Sequence, residues 1–213
     1  MKVKLVWATP NGDDLVAYMA RVSNPKNEDN KETAPKLIRY LMRNKHWSPF
    51  QMVNACVYVE CPRDISRQIL RHTSLAFQEF SGRYAEYENL IDGRELRLRD
   101  SANRQNSLRT DDQELHKKWN GLVSTVRTVC IGAYRTAISL GVAPEVARVL
   151  LPEGLVPTRL YVNGNLRSWL HYFDVRCDVA TQKEHREVAE AIRSIIFEQF
   201  PNIAEAYNEQ RTD

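Results

Sequence analysis

The sequence has little that would place it outside a reduced, aqueous setting. It has four cysteines, Cys56, Cys61, Cys130 and Cys177. No two have CxxC spacing, and no Cys/His set has zinc-finger spacing, which argues against a disulfide framework and a structural zinc site. They read as reduced, mostly buried thiols of a cytoplasmic protein. The five histidines have no metal-ligand spacing either. No apolar run approaches the ~20 residues that a membrane helix requires. Lys2 and Lys4 interrupt the short apolar opening, which ends at Pro10, so no signal peptide is expected there. Repeats, low-complexity tracts and linkers are missing as well. Charge of either sign has no real excess: 30 Lys+Arg stand against 27 Asp+Glu, a net charge of +3. That balance does not call for nucleic acid. The densest arginine stretch, with Arg94, Arg97, Arg99 and Arg104, is interleaved with Asp92, Glu95 and Asp100, which oppose a phosphate backbone.

What is present is the composition of a globular protein, 43% hydrophobic and 27% charged over 213 residues. This length fits one domain, 1–213. Residues 3–8 read as a first strand. Asn11-Gly12-Asp13-Asp14 forms a turn with a helix N-cap, and the helix continues over 15–22. After a polar loop at 24–31, Thr33 caps a second helix running to about residue 44. Val53, Ala55, Val57 and Val59 alternate with Asn54, Cys56, Tyr58 and Glu60, a strand pattern. Pro62 begins a short helix containing Ile65, Ile69 and Leu70, which ends near Arg71-His72-Thr73. Residues 74–84 are loop and extended chain. The Arg-, Asp- and Asn-rich stretch 90–106 reads as a mobile excursion over a site. A long helix spans 111–140 with Gly141 at its C-cap. A short helix starts at Ala143-Pro144-Glu145, a strand occupies 158–162, and two helices span 165–176 and 181–200. Few strands and longer helices indicate an α+β fold.

The chemistry concentrates after the short helix. Arg71 and His72 close it, and Ser81-Gly82-Arg83 follow seven residues after Thr73. Two arginines, a hydroxyl, a glycine permitting close backbone approach and the Glu79 carboxylate can hold a phosphate and a polar ring. An ordinary helix-to-strand junction with solvated arginines explains the same residues, and at this level both readings stand. His116 reads as a surface residue, His185 as part of a solvated helix face, and His46 as a cap or a partner for Trp47. Cys177 reads as a packing thiol.

The stretch Arg71-His72-Thr73, seven residues, Ser81-Gly82-Arg83-Tyr84 resembles the Arg-His-Arg, seven residues, Ser-x-Arg-Tyr motif of flavin-dependent thymidylate synthases. Gln78-Glu79 is similar to that family's Asn-Glu pair. Ser48-Pro49-Phe50 lies upstream, Ala147-Arg148-Val149-Leu150-Leu151-Pro152 resembles its Ala-Arg-x-x-Leu-Pro segment, and 163–178 resembles its Asn-x-Arg-Ser-Leu…Leu-Arg-x-Asp helix. The blocks occur in the family's order over about 35–200.

The resemblance implies an α+β subunit with a small, mainly antiparallel sheet and long helices, assembling as a homotetramer with sites between subunits. It implies binding of flavin adenine dinucleotide (FAD) and conversion of dUMP to dTMP, with methylenetetrahydrofolate as carbon donor and NADPH reducing the flavin. Gln68, Arg71, Glu79, Phe80, Ser81, Gly82, Arg83, Arg148 and Arg176 match nucleotide positions, the loop 79–83 being supplied by a second subunit. Arg176 and Ser81 are the catalytic candidates. Arg176 matches the arginine that favours ionisation of the uracil ring, and Ser81 fits a phosphate or ring contact better than a nucleophile. Asn54, Arg71, His72, Thr73, Ser74, Gln78, Glu79, Asn165, Arg167 and His171 match flavin positions. No metal is implied.

Most of the departures from the family pattern fall on the flavin and folate contacts. Thr73 replaces the motif's second Arg, Gln78 an Asn, Gln51 a Glu, Met52 and Ala180 a His each, and His171 an Asn. They leave two alternatives: a flavoenzyme adding a methyl or hydroxymethyl group to another pyrimidine nucleotide such as dCMP, and a non-catalytic nucleotide-binding homologue.

Overall fold

The computed structural model describes residues 1–211. Its first half runs through β1 (Lys2–Ala8), α1 (Gly12–Ala20), α2 (Ala34–Arg43), β2 (Asn54–Pro62), α3 (Arg63–Ile69) and β3 (Ala76–Glu79). A ribbon of β4 (Arg97–Arg99) and β5 (Ser107–Arg109) follows, then α4 (Gln113–Ser139), α5 (Pro144–Ala147), β6 (Pro157–Asn165), α6 (Leu166–Arg176), α7 (Lys183–Gln199) and α8 (Pro201–Glu209). Four strands pair antiparallel in the order β1-β2-β6-β3. The fold is α+β with a small antiparallel sheet.

Alternation decides which face of the sheet is covered. Val53, Ala55, Val57 and Val59 are fully buried, as are Leu160 and Val162 across from them on β6. They meet Ile38, Phe50, Trp169, Phe173, Ile192 and Phe200 in the main core. Positions of the other parity, Tyr58, Arg159 and Tyr161, lie on the opposite face, where Tyr161 stays half exposed.

α1 begins three residues earlier than the periodicity indicates, at Gly12. A Cβ there would stand 2.3 Å from the Phe200 ring, so only glycine lets α1 and the end of α7 approach this closely. Asn11 caps through its backbone in a left-handed conformation, with no side-chain cap bond. Asp13 turns to accept from the Asn202 and Ile203 backbone N–H groups at 2.8 and 3.3 Å. It thereby caps α8, a helix that local patterning did not indicate. Thr33 makes no side-chain cap either; its hydroxyl accepts from Arg21 Nη2 at 2.8 Å.

The excursion 90–106 is tethered rather than loose. Arg94 pairs with Asp64, Arg97 with Glu184 at 2.7 Å, and Lys183 with Glu95. α4 is capped by Asp112, which accepts from Leu115 N, and stops at Gly141, where φ is +81°. Among the described residues of α4, Tyr134 is the buried one, in a second core with Tyr87, Leu90, Ala147 and Val156. Leu122, Val126 and Val129, spaced for one stripe of α4, are 64%, 45% and 64% exposed.

Candidate functional site

α3 turns Ile65 and Ile69 into the core. The chain then folds back through His72 N to Ile69 O (3.1 Å) and Leu75 N to His72 O (2.9 Å). Leu75 seats against Gly164, where a Cβ would meet it at 2.3 Å. This wedge presents Arg71, Thr73 and Ser74 at the surface. α6 passes beside the turn. Asn165 caps it by accepting from Ser168 N at 2.9 Å, and its inner face buries Trp169, Tyr172 and Phe173. Arg176, one turn beyond Tyr172, is thus carried to the same place.

There Arg176 donates from Nε to Nε2 of His72 at 2.7 Å, while the His72 ring stands edge-on to Tyr172 at 4.8 Å. Burial, then the charges of Arg176 and Arg71, push the His72 imidazole down to about 4. It is neutral at physiological pH, which leaves a lone pair to receive the guanidinium. The Arg176 Nη groups remain for other partners. Arg176 lines a hollow of about 500 Å³ with Gln68, Gln105, Asp174, Asp178 and Gln182.

A run of hydrogen bonds supports this hollow from behind. The Tyr172 hydroxyl lies 3.0 Å from His185 Nε2, and His185 Nδ1 lies 3.3 Å from Gln68 Oε1. Gln68 Nε2 donates to Gln182 Oε1 at 2.7 Å, and Gln182 Nε2 donates to Glu184 at 2.9 Å. His185 is fully buried, so the solvated helix face expected for it is incorrect. The signal was available: His185, Val188, Ala189, Ile192 and Ile196 form one helical stripe, and all are buried. His46 caps the end of α2, its backbone N–H donating to the Leu41 carbonyl oxygen at 2.8 Å, but its ring packs edge-on to Tyr40 at 5.9 Å rather than on Trp47, which meets Phe50 and His171. His116 is half-buried and bonds the Thr110 carbonyl oxygen at 2.8 Å.

The rest of the expected nucleotide set lies elsewhere. Arg148 lines a separate hollow of about 420 Å³ with Arg63, Arg67, Tyr87, Glu145 and Glu153, and the two hollows share no lining residue. Arg83 donates to Glu145 at 2.9 Å, and Arg148 Nε donates to the Glu145 carbonyl oxygen at 3.2 Å. Gly82 accommodates the Tyr87 ring, which a Cβ would approach to 2.5 Å. Phe80 packs on Tyr87 at 5.5 Å, with Arg159 over its ring. Ser81 Oγ accepts from Arg83 N at 3.3 Å. The Glu79 carboxylate accepts from Ser66 Oγ at 2.6 Å and Thr158 Oγ1 at 3.0 Å, with Arg67 at 3.6 Å. It pins β3 to α3 and β6.

Asn54 and Asn165 face each other in the β2–β6 register. That brings Asn54, Asn165, the exposed Arg167 and the exposed His171 to one end of the sheet. Ala76 and Gln78 pair with Asn163 and Tyr161 beside them. The buried Oδ1 of Asn163 has no hydrogen-bond partner, an acceptor left over where flavin contacts are expected. Exposed Arg71 and Arg167 with this acceptor suit a group carrying phosphates and N–H or O–H donors. Among the described residues no cluster of His, Cys, Asp or Glu is arranged to hold a metal ion, and no helix is long and apolar enough to cross a membrane.

Comparison with known proteins gives a consistent result. The model of the family described as thymidylate synthase complementing protein matches residues 4–202. A flavin-dependent thymidylate synthase of Synechocystis sp. is 46% identical over 201 residues, covering 93% of this chain and 89% of that protein. A probable flavin-dependent thymidylate synthase of Paramecium bursaria Chlorella virus 1 is 39% identical, covering 97% and 98%. Among solved structures, the UMP/dUMP methylase PolB of Streptomyces cacaoi bound to 5-Br dUMP superposes with a TM-score of 0.86 at 26% identity, covering 98% of this chain and 94% of that one.

Proposed function

Because the chain belongs to the flavin-dependent thymidylate synthase family, we propose that it converts dUMP to dTMP, with methylenetetrahydrofolate as carbon donor and an FAD reduced by NADPH as hydride donor. The observation that carries this reading is the bond from Arg176 Nε to neutral His72. It fixes the guanidinium plane while leaving both Nη groups for a ligand. A fixed cation beside a ring that gains negative charge at its N3–C4–O4 edge stabilises that charge without reorganisation. Gln68 in the last turn of α3 and Arg71 just beyond it add an amide and a second cation for the nucleotide.

FAD, when bound, supplies the redox chemistry. Asn54, Asn165, Arg167 and His171 at the sheet end would hold it together with Arg71, His72, Thr73, Ser74 and Gln78. Glu79 would act on both ligands by shaping β3, since its oxygens are already engaged by Ser66, Thr158 and Arg67. Ser81 would bind phosphate with Gly82, Arg83 and Arg148. Its hydroxyl has no base, because His72 Nε2 is committed to Arg176.

Two separate hollows, each with part of the nucleotide set, suit a site assembled between subunits. The exposed stripe of Leu122, Val126 and Val129 supplies a surface for that assembly. A homotetramer of single-domain chains in the cytoplasm, where the four free cysteines stay reduced, completes the proposal. The test is turnover of purified protein with methylenetetrahydrofolate and NADPH on dUMP, UMP and dCMP. The expected product is dTMP from dUMP. Turnover of UMP or dCMP with dUMP untouched would overturn the reading, as would a colourless protein that takes up no added FAD.

A further inference from the structure

We propose that His185 is a positioning residue for the nucleotide: it fixes the Gln68 amide through a one-way run of hydrogen bonds from the Tyr172 hydroxyl to the Glu184 carboxylate. The proposal rests on the reading of Gln68 as a nucleotide contact.

The direction of the run follows from its far end. A carboxylate only accepts. Both oxygens of Glu184 are taken, one by Arg97 at 2.7 Å and the other by Gln182 Nε2 at 2.9 Å. Burial pushes the Glu184 carboxyl up, but the bonds from Arg97 and Gln182 outweigh it and hold it below the usual carboxylate range. With its nitrogen committed, Gln182 can offer Gln68 only its oxygen, so Gln68 donates there at 2.7 Å. The Gln68 oxygen then lies 3.3 Å from His185 Nδ1, which must carry the proton. That tautomer leaves a lone pair on Nε2, which receives the Tyr172 O–H at 3.0 Å. Burial raises the Tyr172 pKa, so the hydroxyl keeps its proton and donates. No link can turn round unless every other link does, and the Glu184 end cannot.

The consequence lies at Gln68, which lines the same hollow as Arg176. An amide NH2 has two hydrogens, and Gln182 takes one. The other is left as a donor for a phosphate or uracil oxygen. Reversal of the amide would place an acceptor where an electron-rich ligand needs a donor, and a donor against the His185 N–H. His185 is fully buried. It acts through Gln68, which sets it apart from Arg176 and Arg71.

The test has two arms. The first is solid-state 15N NMR of histidine-labelled, ligand-free protein, with the His185 signal assigned by its loss in His185→Gln. The expected state at neutral pH is a neutral ring with Nδ1 protonated and Nε2 accepting, and with Tyr172→Phe shifting Nε2. An Nε2-protonated ring would overturn the relay. The second arm is dUMP affinity by calorimetry. His185→Leu should weaken binding by roughly three- to tenfold, the worth of one net hydrogen bond. His185→Asn, whose amide nitrogen stands near the place of Nδ1, should restore most of it. In a Gln68→Ala background His185→Leu should add nothing, whereas a loss of equal size there would reduce His185 to a packing residue and sink the proposal. A wild-type protein with the expected tautomer but no dUMP affinity would instead overturn the assignment of Gln68 to that nucleotide while leaving the relay in place.

Discussion

Arg176 and His72, 104 residues apart in sequence, share a 2.7 Å hydrogen bond from guanidinium Nε to imidazole Nε2. The bond makes Arg176 bifunctional, with one edge held by the protein and the other presented to the hollow. Lysine cannot do both with a single ammonium. Arg176→Ala and Arg176→Lys should therefore both lower kcat/KM for dUMP by about 10²-fold or more, the usual scale for losing a donor aimed at developing charge. Unfolding midpoints in urea should move little, since Arg176 is not part of the packed core. Near-normal turnover in Arg176→Lys would show that orientation by His72 is unimportant.

The two histidines beside Arg176 make stability depend on pH. Burial first, then nearby arginine charge, holds His72 at about 4; burial above all, with Arg176 and His72 next, holds His185 at about 3. Their ordinary value is 6.5. In the unfolded chain both take up a proton as pH falls through 6.5, whereas the folded protein takes up neither until far lower. The unfolded state thus binds more protons in this interval, and stability must fall as pH falls. The stabilisation is complete above about 6.5 and declines towards 4, at roughly 1.4 kcal/mol per pH unit for each histidine. Urea unfolding between pH 7 and 5 measures the slope, which His185→Asn should about halve. A flat profile in wild type would mean that the histidines are solvated.

The β2 strand was legible because alternation is a local signal: Val53, Ala55, Val57 and Val59 all reach the core. The long helix and its stop at Gly141 were legible for the same reason. α8 was not, because its cap is Asp13, 189 residues from Asn202. His185 was misread because its charged neighbours Lys183, Glu184 and Arg186 masked a position on the buried stripe. The site residues were found through motif resemblance, which does not report that Gln68 and Arg148 line different hollows. Nor does a motif show that Glu79 is bonded within its own chain, since Ser66 and Thr158 meet it only once β3 pairs with β6.

Glu79 offers a separable test of support against contact. Ser66 and Thr158 are both buried, and Glu79→Ala removes an acceptor from each. Ser66 keeps the Arg63 carbonyl oxygen at 2.9 Å as an alternative. The half-exposed Arg67 pair contributes little. Glu79→Ala should cost about 2–3 kcal/mol of stability, and Glu79→Gln about 1 kcal/mol, because an amide oxygen still accepts. Unchanged urea midpoints in both variants would leave Glu79 with a ligand role alone.

Thr73 is the clearest departure from the family motif and is exposed on the turn after α3. An arginine there would reach solvent without entering the core, beside Arg71 and Ser74. Thr73→Arg should tighten FAD or methylenetetrahydrofolate binding by roughly tenfold or less, the scale of one charge-assisted contact in partial solvent. Fluorescence titration with each ligand measures this. Equal or weaker affinity for both would mean that the pocket is built around threonine.

The division of the nucleotide residues between two hollows makes the strongest prediction. If one site draws Arg176 from one chain and Arg148 from another, then Arg176→Ala and Arg148→Ala assemblies are each inactive for different reasons. Co-expressing the two chains in equal amounts mixes subunits. A site that takes its Arg176 side from an Arg148→Ala chain and its Arg148 side from an Arg176→Ala chain is intact. Random mixing yields such sites about one time in four, so about a quarter of wild-type turnover should return in a symmetric assembly. Sites built within one chain would give no recovery at all, because every chain carries a lesion. Val126→Glu supplies the control. A charge on the exposed stripe of α4 should shift sedimentation towards smaller species and abolish both wild-type turnover and the recovery. Full turnover by a dissociated Val126→Glu chain would place the whole site within one subunit.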